Sequence, residues 1–447
     1  MKKRLTLITI SVLLLVFAFL ILMTRLHSPE EVLAPPNPGG EYRQLQQSFE
    51  TAVGKGTEYK LQYPDEGEYR SAYVLYDLDG DEENEALVFY SKVGDESVVR
   101  VNILDLQDEE WVSCLDKIGY GNKIDSVAFS DMDGDGASEV ILSWSLAGTE
   151  SSRTMTVHRV TLKEGKSKFE TLANMPYRAM SLSDMDNDGN NEILVLWSET
   201  DNKVQHNYAA LMKLTAAGLS RYGEEAELDS EASVYDNVVL QKGRTPIAFV
   251  DARKGDNTMF TEVIWWDGVN KTLRAPFTAN STRTNLSTLR ATDLLTSDID
   301  EDGIYEIPVA YGGVAPTSQD DQRTRIPLTV WSVTGTAEPG ALKPNAYSLV
   351  NTDSHYILYL ESGYRDSVVA YRNNKTGVLT VYALTDEGSR GEPLFSLVYQ
   401  NDGSNKPADK YTFLASKNDR MVYGTLTSAG KEAGFTNEGI EDQIVFY

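Results

Sequence analysis

The chain has 447 residues, which is enough for two or three ordinary domains or for one large repeat fold. Its formal net charge of −26 argues against nucleic acid as a partner, because phosphate binding needs a basic face. The single cysteine, Cys114, excludes an internal disulfide. It stands among strand-like apolar residues, so we interpret it as a small buried side chain.

The N-terminal segment, residues 1–27, is predicted to be a transmembrane anchor or a signal segment. Basic residues at positions 2–4 precede an apolar run over residues 5–23, which as a helix would span about 28 Å and cross a hydrocarbon core. The basic flank predicts a cytoplasmic N-terminus and an extracytoplasmic C-terminal domain, with the membrane as the first partner. The run exceeds a typical signal-peptide core, which favours a single-pass anchor in the cell membrane. The alternative is secretion after cleavage near Ala34.

Two short segments lead from this helix into the main domain. Residues 28–40 are rich in Pro and Gly and are predicted to form a semi-extended linker. Residues 41–56 are predicted to form a short amphipathic helix that ends at Gly54 and packs on the domain formed by residues 57–447. Its apolar positions follow helical spacing and are Tyr42, Leu45, Phe49, Ala52 and Val53.

Four short loops within residues 57–447 share one pattern, with carboxylates at positions 1, 3, 5 and 9. We name them by their first residue, and their carboxylates are Asp77, Asp79, Asp81 and Glu85; Asp131, Asp133, Asp135 and Glu139; Asp184, Asp186, Asp188 and Glu192; and Asp298, Asp300, Asp302 and Glu306. So much like charge in a short loop repels itself unless a hard cation lies among the oxygens. Oxygen-only ligands with a glycine turn are typical of Ca²⁺, so the sequence predicts up to four structural calcium sites.

Short apolar runs rich in β-branched and aromatic residues flank each loop, so the repeated unit is a strand, an acidic loop and a strand. An EF-hand is excluded because it needs flanking helices and a final Glu at position 12 of the loop. The first three loops begin 54 and 53 residues apart, and the fourth follows after 114 residues, close to two periods. About four strands fit each period. This predicts an all-β fold, a β-propeller with seven blades or, as the alternative, six.

The missing period falls where the chain runs through Ile247 to Asp251. The loop after Asp251 has lost most of its carboxylates, so we interpret this repeat as a blade without metal. In the Asp77 loop, Glu82 stands where the other loops have Gly, and a left-handed backbone there would disfavour a side chain. Strand-like runs at residues 347–360 and 411–423 are interpreted as the starts of a sixth and a seventh repeat.

Catalytic motifs are sparse in this sequence. No G-x-S-x-G stretch, P-loop or dinucleotide fingerprint is present. Paired carboxylates can hydrolyse glycosides, but those of the loops are arranged to hold a cation rather than to line a cleft. The histidines share no motif with a nucleophile and no metal-ligand spacing; they are His27, His158, His206 and His355.

The D-x-D-x-D-G-x-x-E loops between strands resemble the FG-GAP/VCBS-type repeats of integrin α-subunit propellers and of many bacterial surface proteins. The arrangement is also similar to anchored VCBS-repeat proteins of Firmicutes, a group without an established activity. The likeness covers residues 41 to 310 and rests on Tyr42–Leu45, Tyr76–Asp81, Glu85–Phe89 and Asp298–Pro308. It implies a calcium-stabilised propeller whose metal ligands are the loop carboxylates named above. It carries the fold but not a function.

These observations lead us to expect a membrane-anchored, extracytoplasmic propeller that binds a protein or a cell-envelope glycan. Trp265, Trp266 and Trp331 are candidates for stacking on sugar rings, although a place in the strand core suits each of them better. Two alternatives stay open: a polysaccharide-active lyase or hydrolase on a propeller scaffold, and a sensory or assembly subunit that needs another chain. Two convergent carboxylates in a cleft outside the four loops would favour the enzyme.

Overall fold

The computed structural model describes residues 40–146, 153–163, 166–311, 319–320, 322–335, 339–401 and 410–447. The segment predicted to be an anchor, residues 1–27, and nearly all of the linker predicted over residues 28–40 lie outside the described residues. Within the described ranges, no helix combines the length and the apolarity that crossing a membrane requires.

The described residues form an all-β fold, as the strand-rich sequence predicted. They divide into two compact units. The first unit contains the described residues up to Val127 together with those in Val160–Phe169, and the second contains those in Ala128–Arg159 and Glu170–Tyr447.

The first unit begins with helix α1, Gly40–Val53, at the place where the apolar spacing predicted a helix. Leu45, Phe49 and Val53 lie one helical turn apart and are buried together. The Phe49 ring meets the rings of Tyr59 and Tyr90 edge-on, each at a centroid distance of 5.1 Å. This aromatic contact fixes the helix against the first sheet.

That first sheet has the strand order β1-β3-β4-β5, with β2 also paired to β3, and every pairing is antiparallel. Its strands are β1 Tyr59–Leu61, β2 Tyr73–Tyr76, β3 Glu85–Lys92, β4 Asp95–Gln107 and β5 Glu110–Ile118. Strand β3 is buried along nearly its whole length, so it is the centre of the sheet. A four-stranded sheet of order β6-β7-β8-β9 follows. Its strands are β6 Lys123–Ser130, β7 Glu139–Ser145, β8 Arg153–Thr161 and β9 Lys168–Tyr177.

The next sheet has eight strands in the order β10-β11-β12-β13-β17-β16-β15-β14. They are β10 Ala179–Ser183, β11 Glu192–Asp201, β12 Val204–Thr215, β13 Gly218–Leu228, β14 Ala232–Gln241, β15 Ile247–Lys254, β16 Met259–Asp267 and β17 Thr272–Arg274. It consists of two antiparallel four-stranded meanders, which meet at a single parallel pair, Glu224 with Thr272. Gly223 lies at this seam, where any side chain would meet the Lys271 carbonyl and the Trp266 ring.

The remaining strands form a small hairpin and two further sheets. The hairpin is β18 Thr278–Ala279 with β19 Thr284–Asn285. One sheet has the order β20-β23-β24-β25-β31, and the other β21-β22-β26-β27-β28-β30-β29. Their strands are β20 Ile307–Ala310, β21 Gln319–Asp320, β22 Arg323–Ile326, β23 Leu328–Thr334, β24 Leu342–Asn351, β25 Tyr356–Leu360, β26 Val368–Asn373, β27 Leu379–Leu384, β28 Arg390–Asn401, β29 Thr412–Lys417, β30 Arg420–Leu426 and β31 Ile444–Phe446. Helices α2 Ser428–Glu432 and α3 Asn437–Glu441, with a 3₁₀ turn at Ser362–Tyr364, complete the described elements.

Two predicted repeat starts are wrong. Residues 347–360 lie in β24 and β25, which complete the sheet that begins at β20. Residues 411–423 lie in β29 and β30, at the edge of the last sheet. Both runs do form strands, but the rhythm of strands along a sequence does not reveal which strands share a sheet.

Candidate metal centres

The first three acidic loops connect the first and second strands of successive four-stranded meanders, β2 to β3, β6 to β7 and β10 to β11. The fourth loop precedes β20 and is closed by a bridge between Ser297 and Glu306. The sequence therefore placed the first three loops correctly between strands, whereas the strand predicted before the Asp298 loop, at residues 294–295, is wrong: only the isolated bridge at Ser297 precedes that loop. Strand pairing holds both ends of each loop, so its carboxylates are confined to a small volume.

In every loop the first Asp accepts hydrogen bonds from backbone N–H groups further along the same loop. Asp131, for example, accepts from Gly134 at 2.7 Å and from Gly136 at 2.9 Å. The corresponding bonds are Gly80 to Asp77 at 2.8 Å, Gly189 to Asp184 at 2.9 Å and Gly303 to Asp298 at 2.8 Å. The loop backbone thus curls around the first carboxylate.

The Glu at position 9 is buried in all four loops, with no more than 1% of its surface exposed. One of its oxygens accepts a hydrogen bond from the backbone N–H of position 2, which carries an apolar side chain packed into the fold. The distances are 2.7 Å for Leu78 to Glu85, 3.1 Å for Met132 to Glu139, 3.0 Å for Met185 to Glu192 and 3.0 Å for Ile299 to Glu306. The same contact in four loops is strong internal evidence that they are structural repeats of one another.

Three carboxylates in each loop have oxygens within 4.8 Å of one another, close enough to hold a metal ion. The groups are Asp77, Asp79 and Glu85; Asp131, Asp133 and Glu139; Asp184, Asp186 and Glu192; and Asp298, Asp300 and Asp302. Position 5, predicted as a ligand throughout, joins the group only in the Asp298 loop. There Glu306 is outside the group, and its Oε1 accepts instead from Asn345 Nδ2 at 2.8 Å. In all four loops the Asp at position 5 accepts a hydrogen bond from the backbone N–H two residues further along.

Burial changes the acidity of these carboxyl groups in the metal-free fold. Burial, together with the nearby Asp79 and Asp105 carboxylates, raises the pKa of Glu85 to about 8 against the opposing hydrogen bond from the Leu78 N–H. Burial also raises the pKa of Glu139, Glu192 and Glu306. A cation beside such a group would favour its charged form, so protons and metal compete for it.

The residue that faces the position-9 Glu from the neighbouring strand was not found from the sequence, and it differs between loops. The strand registers place Asp105 of β4 opposite Glu85, Arg159 of β8 opposite Glu139 and Lys213 of β12 opposite Glu192. Lys213 and Arg159 form ion pairs with their loops. The spacing of 20 or 21 residues after each Glu is the only sequence signal that could have found these three positions.

The Asp77 loop fits a hard cation on the chemistry of its own residues. Asp79 Oδ1 is buried and, among the described residues, has no hydrogen-bond partner. Burial and the carboxylates of Asp81, Asp105 and Asp77 raise the pKa of Asp79. A buried carboxylate oxygen without a donor is costly unless a cation lies beside it. Asp77, Asp79 and Glu85 would hold such an ion, which would neutralise the loop and tie its two strands together.

The prediction of a degenerate acidic loop after Asp251 is wrong, because Asp251 lies within β15 and the first two strands of its meander, β14 and β15, are joined by residues 242–246. Asp251 belongs instead to a buried ion pair. Its side chain is fully buried and accepts from Arg290 Nη2 at 2.8 Å, while Arg290 itself is only 1% exposed. Thr261 Oγ1 and the backbone N–H of Thr296 donate to the same carboxylate at 2.7 and 2.8 Å. Asp251 therefore joins β15 to the segment that follows β19.

A second enclosed carboxylate is Glu262 on β16. It matters for the enzyme alternative, which requires convergent carboxylates in a cleft outside the four loops. It is fully buried and accepts hydrogen bonds from the Asp229 N–H at 2.8 Å and from Thr278 Oγ1 at 2.8 Å. Burial raises its pKa to about 7, against those hydrogen bonds. Asp229 pairs with Lys254 Nζ at 2.8 Å. These groups come from separate strands, but they lie in the interior with their polar atoms bonded to protein and do not face an open cleft.

The remaining candidate residues occupy ordinary structural positions. Trp331 is buried and its Nε1 donates to Ser348 at 2.9 Å, and Trp266 is buried and stacks on Tyr222 at 4.8 Å. Burial lowers the pKa of His158 to about 4 and raises that of Cys114, so neither side chain is an activated nucleophile or base.

Trp265 differs from the other two tryptophans because it is only half-buried and lines an open groove of about 950 Å³. Polar side chains of the same groove include Asp186, Asn187 and Arg244. An aromatic ring beside polar groups in an open groove is an arrangement that can accept a sugar.

Comparisons with known proteins add little. No family model matches the chain, and no curated protein matches it. Among solved structures, the crystal structure of Chaetomium thermophilum Sqt1 aligns with 87% of this chain and 97% of its own, at 9% identity and a TM-score of 0.31. A likeness this weak supports no argument about fold or function.

Proposed function

We propose that the chain is a calcium-stabilised β-propeller with FG-GAP/VCBS-type blades, held outside the cytoplasm by its N-terminal helix. The observation that carries the proposal is the repeated acidic loop, in which a buried Glu contacts the backbone of position 2 at 2.7–3.1 Å in all four copies. Carboxylates that are buried in the same way four times need compensating positive charge.

The strand pairing supports blades as the building unit. Four-stranded antiparallel meanders recur along the described chain, and six can be traced within the sheets, beginning at β2, β6, β10, β14, β20 and β26. This grouping favours the six-bladed alternative over seven. A meander of this kind leaves its apolar faces unburied unless others stack on it, which is why such units occur as repeats.

The function that suits this scaffold best is recognition of a cell-envelope glycan or a protein, rather than catalysis. The groove beside the Asp184 loop supports a glycan, because Trp265 offers a ring for stacking and Asn187 and Arg244 offer hydrogen bonds. Ordered acidic loops at its edge would hold the groove in one shape.

Thermal unfolding of the full-length chain tests the calcium part. A ligand at 100 times its dissociation constant stabilises a protein by about 2.7 kcal/mol per site, so calcium should raise the melting temperature clearly above that in chelator. Asp79→Asn should reduce the shift, and Glu83→Gln, an exposed change in the same loop, should leave it intact. Equal melting temperatures in calcium and in chelator would rule out the proposal.

Binding to purified envelope polysaccharide tests the recognition part. The wild-type chain should be retained by immobilised polysaccharide, and Trp265→Ala should weaken retention at least tenfold, since loss of one stacked ring removes about 1.5 kcal/mol or more. The matched control is Tyr63→Ala, an aromatic that is 58% exposed and outside the groove. Equal retention of both variants would exclude the groove as the binding site.

A further inference from the structure

We propose that the Asp184 and Asp131 loops are neutralised by a cation from their own chain, Lys213 and Arg159 respectively, and do not bind calcium. Calcium would then bind the Asp77 and Asp298 loops. The inference rests on the proposed function, because it concerns which of the repeated loops are metal sites.

Lys213 fills the place of a metal ion in the Asp184 loop. Its Nζ lies 2.6 Å from Asp186 Oδ2, 2.6 Å from Asp188 Oδ2 and 2.7 Å from Glu192 Oε1. The oxygens of positions 3 and 9 belong to the group that could hold a metal ion in this loop, and they would ligate calcium at about 2.3–2.6 Å. An ammonium at hydrogen-bond distance from all three oxygens and a calcium ion bound to them cannot occupy the same space.

The surroundings of Lys213 hold its side chain in this place. The ammonium lies 5.0 Å from the centre of the Tyr222 ring, and the side chain is only 13% exposed. Glu192 is fully buried and Asp186 is 8% exposed, so removal of the ammonium would leave two enclosed carboxylates without a cationic partner. Since Lys213 is part of the same hairpin, its effective concentration at the loop far exceeds that of a free ion.

Arg159 has the same role in the Asp131 loop. Its Nε donates to Glu139 Oε1 at 3.0 Å, and its Nη2 pairs with Asp133 Oδ2. The guanidinium therefore bridges positions 3 and 9 of this loop, although Asp133 Oδ1 is buried and has no hydrogen-bond partner among the described residues. Its side chain is 32% exposed, more open than Lys213, so of the two loops this one should be converted to a calcium site more easily.

The Asp77 loop has the opposite charge at the equivalent strand position. Asp105 faces Glu85 there and adds a carboxylate to a loop that already carries six. Repeats of one design thus differ at a single cross-strand position, which is a carboxylate in one loop and a cation in two. This position determines whether the loop needs an external ion.

Counting bound calcium tests the proposal. The full-length chain, stripped of metal, is titrated with calcium by calorimetry. Lys213→Gln should gain one site relative to wild type, and Arg159→Gln should also gain one. The control Lys203→Gln, an exposed lysine in the turn before β12, should gain none. A folded Lys213→Gln variant with unchanged stoichiometry would overturn the proposal.

Asparagine variants in the wild-type background keep the test decisive if Lys213→Gln fails to fold. Asp79→Asn should remove one calcium, and Asp186→Asn should remove none. Loss of one calcium in both variants would overturn the proposal that Lys213 takes the place of calcium in the Asp184 loop. It would leave the proposed function intact. A wild type that binds no calcium would overturn the proposed function instead, and a site gained by Lys213→Gln in that case would still support the role of Lys213.

Discussion

Glu82 adopts a left-handed backbone conformation, with φ of 73°, at the loop position where Gly136, Gly189 and Gly303 have φ of 93°, 96° and 85°. A residue with a side chain costs about 1–2 kcal/mol in this conformation, whereas glycine costs less in the fold and more in the unfolded chain. Glu82→Gly should therefore raise the free energy of unfolding by about 0.5–1 kcal/mol, as measured by urea denaturation.

A second variant separates the effect of the Glu82 charge from that of its left-handed backbone conformation. Glu82→Gln removes the negative charge but keeps the strained backbone, so it should recover less stability than Glu82→Gly. If the two variants were equally stable, repulsion within the loop rather than backbone strain would explain the effect.

Glu85 makes the metal-free protein sensitive to pH. Its pKa in the fold is about 8, above the ordinary value near 4.5, so the folded state binds a proton between these values that the unfolded chain releases. The free energy of unfolding of metal-stripped protein should fall as pH rises from 4.5 to 8, by up to about 1.4 kcal/mol per pH unit, and level off above 8.

Urea unfolding of the metal-stripped chain at several pH values measures this slope. Glu85→Gln should flatten it, because the amide keeps an acceptor for the Leu78 N–H and cannot ionise. The comparison with wild type cancels other groups, such as His158. Parallel curves for wild type and variant would show that Glu85 does not govern the pH dependence.

The clustering of carboxylates in each loop could be predicted because the same four loop positions carry them in every copy, which ordinary acidic turns do not require. The facing residues Asp105, Arg159 and Lys213 could not, because only the strand register brings them to the loops. A shift of the strand register by one residue would turn each of these side chains to the other face of its sheet. The different role of Glu306 also depends on a contact from another strand, with Asn345.

At the scale of elements, the Arg290–Asp251 ion pair connects β15 to the segment after β19. Removal of one partner of a buried pair leaves an uncompensated charge and typically costs 3–5 kcal/mol. Arg290→Met should therefore destabilise the chain by about that amount in urea unfolding, without changing calcium stoichiometry.

The double variant Arg290→Met, Asp251→Asn serves as the control, since it removes both charges. It should recover a substantial part of the lost stability. A single variant that is as stable as wild type would mean that Asp251 is neutral in the fold and that the pair is not ionic.

The positions of the strands were easier to predict from the sequence than their grouping into sheets. The apolar runs around the first three loops and after the fourth form strands as expected, and the helix ending at Val53 follows its apolar spacing. Residues 347–360 were misassigned to a new repeat because a hairpin that completes a sheet and one that opens the next have the same local pattern. The strand pairing distinguishes the two cases: Tyr347 pairs with Leu360 and Trp331 pairs with Ala346, so this hairpin belongs to the existing sheet.

For the whole molecule, the N-terminal charge pattern predicts orientation. The described domain should lie outside the cytoplasm and stay with the membrane, since the basic flank remains inside. In intact protoplasts of an expressing bacterial host, added protease should digest a C-terminal tag.

Two other results would change this prediction. A protected tag would place the domain in the cytoplasm. A tag recovered in the medium on a chain that begins near Ala34 would replace the anchor with a cleaved signal peptide. A cytoplasmic marker protein that stays intact is the control for lysis.

The seam between the two four-stranded meanders should open locally more often than the strands on either side of it. Across it, the Glu224 N–H donates to the Lys271 carbonyl at 2.9 Å, whereas β11 and β12 are paired along nine residues. Opening of a structure proceeds in cooperative segments of unequal free energy, and a boundary with so few bonds separates two of them. The Glu224 amide should exchange with deuterium well before those in the middle of β12. Gly223→Ala should speed its exchange further by forcing the strands apart, while exchange in β15 stays slow.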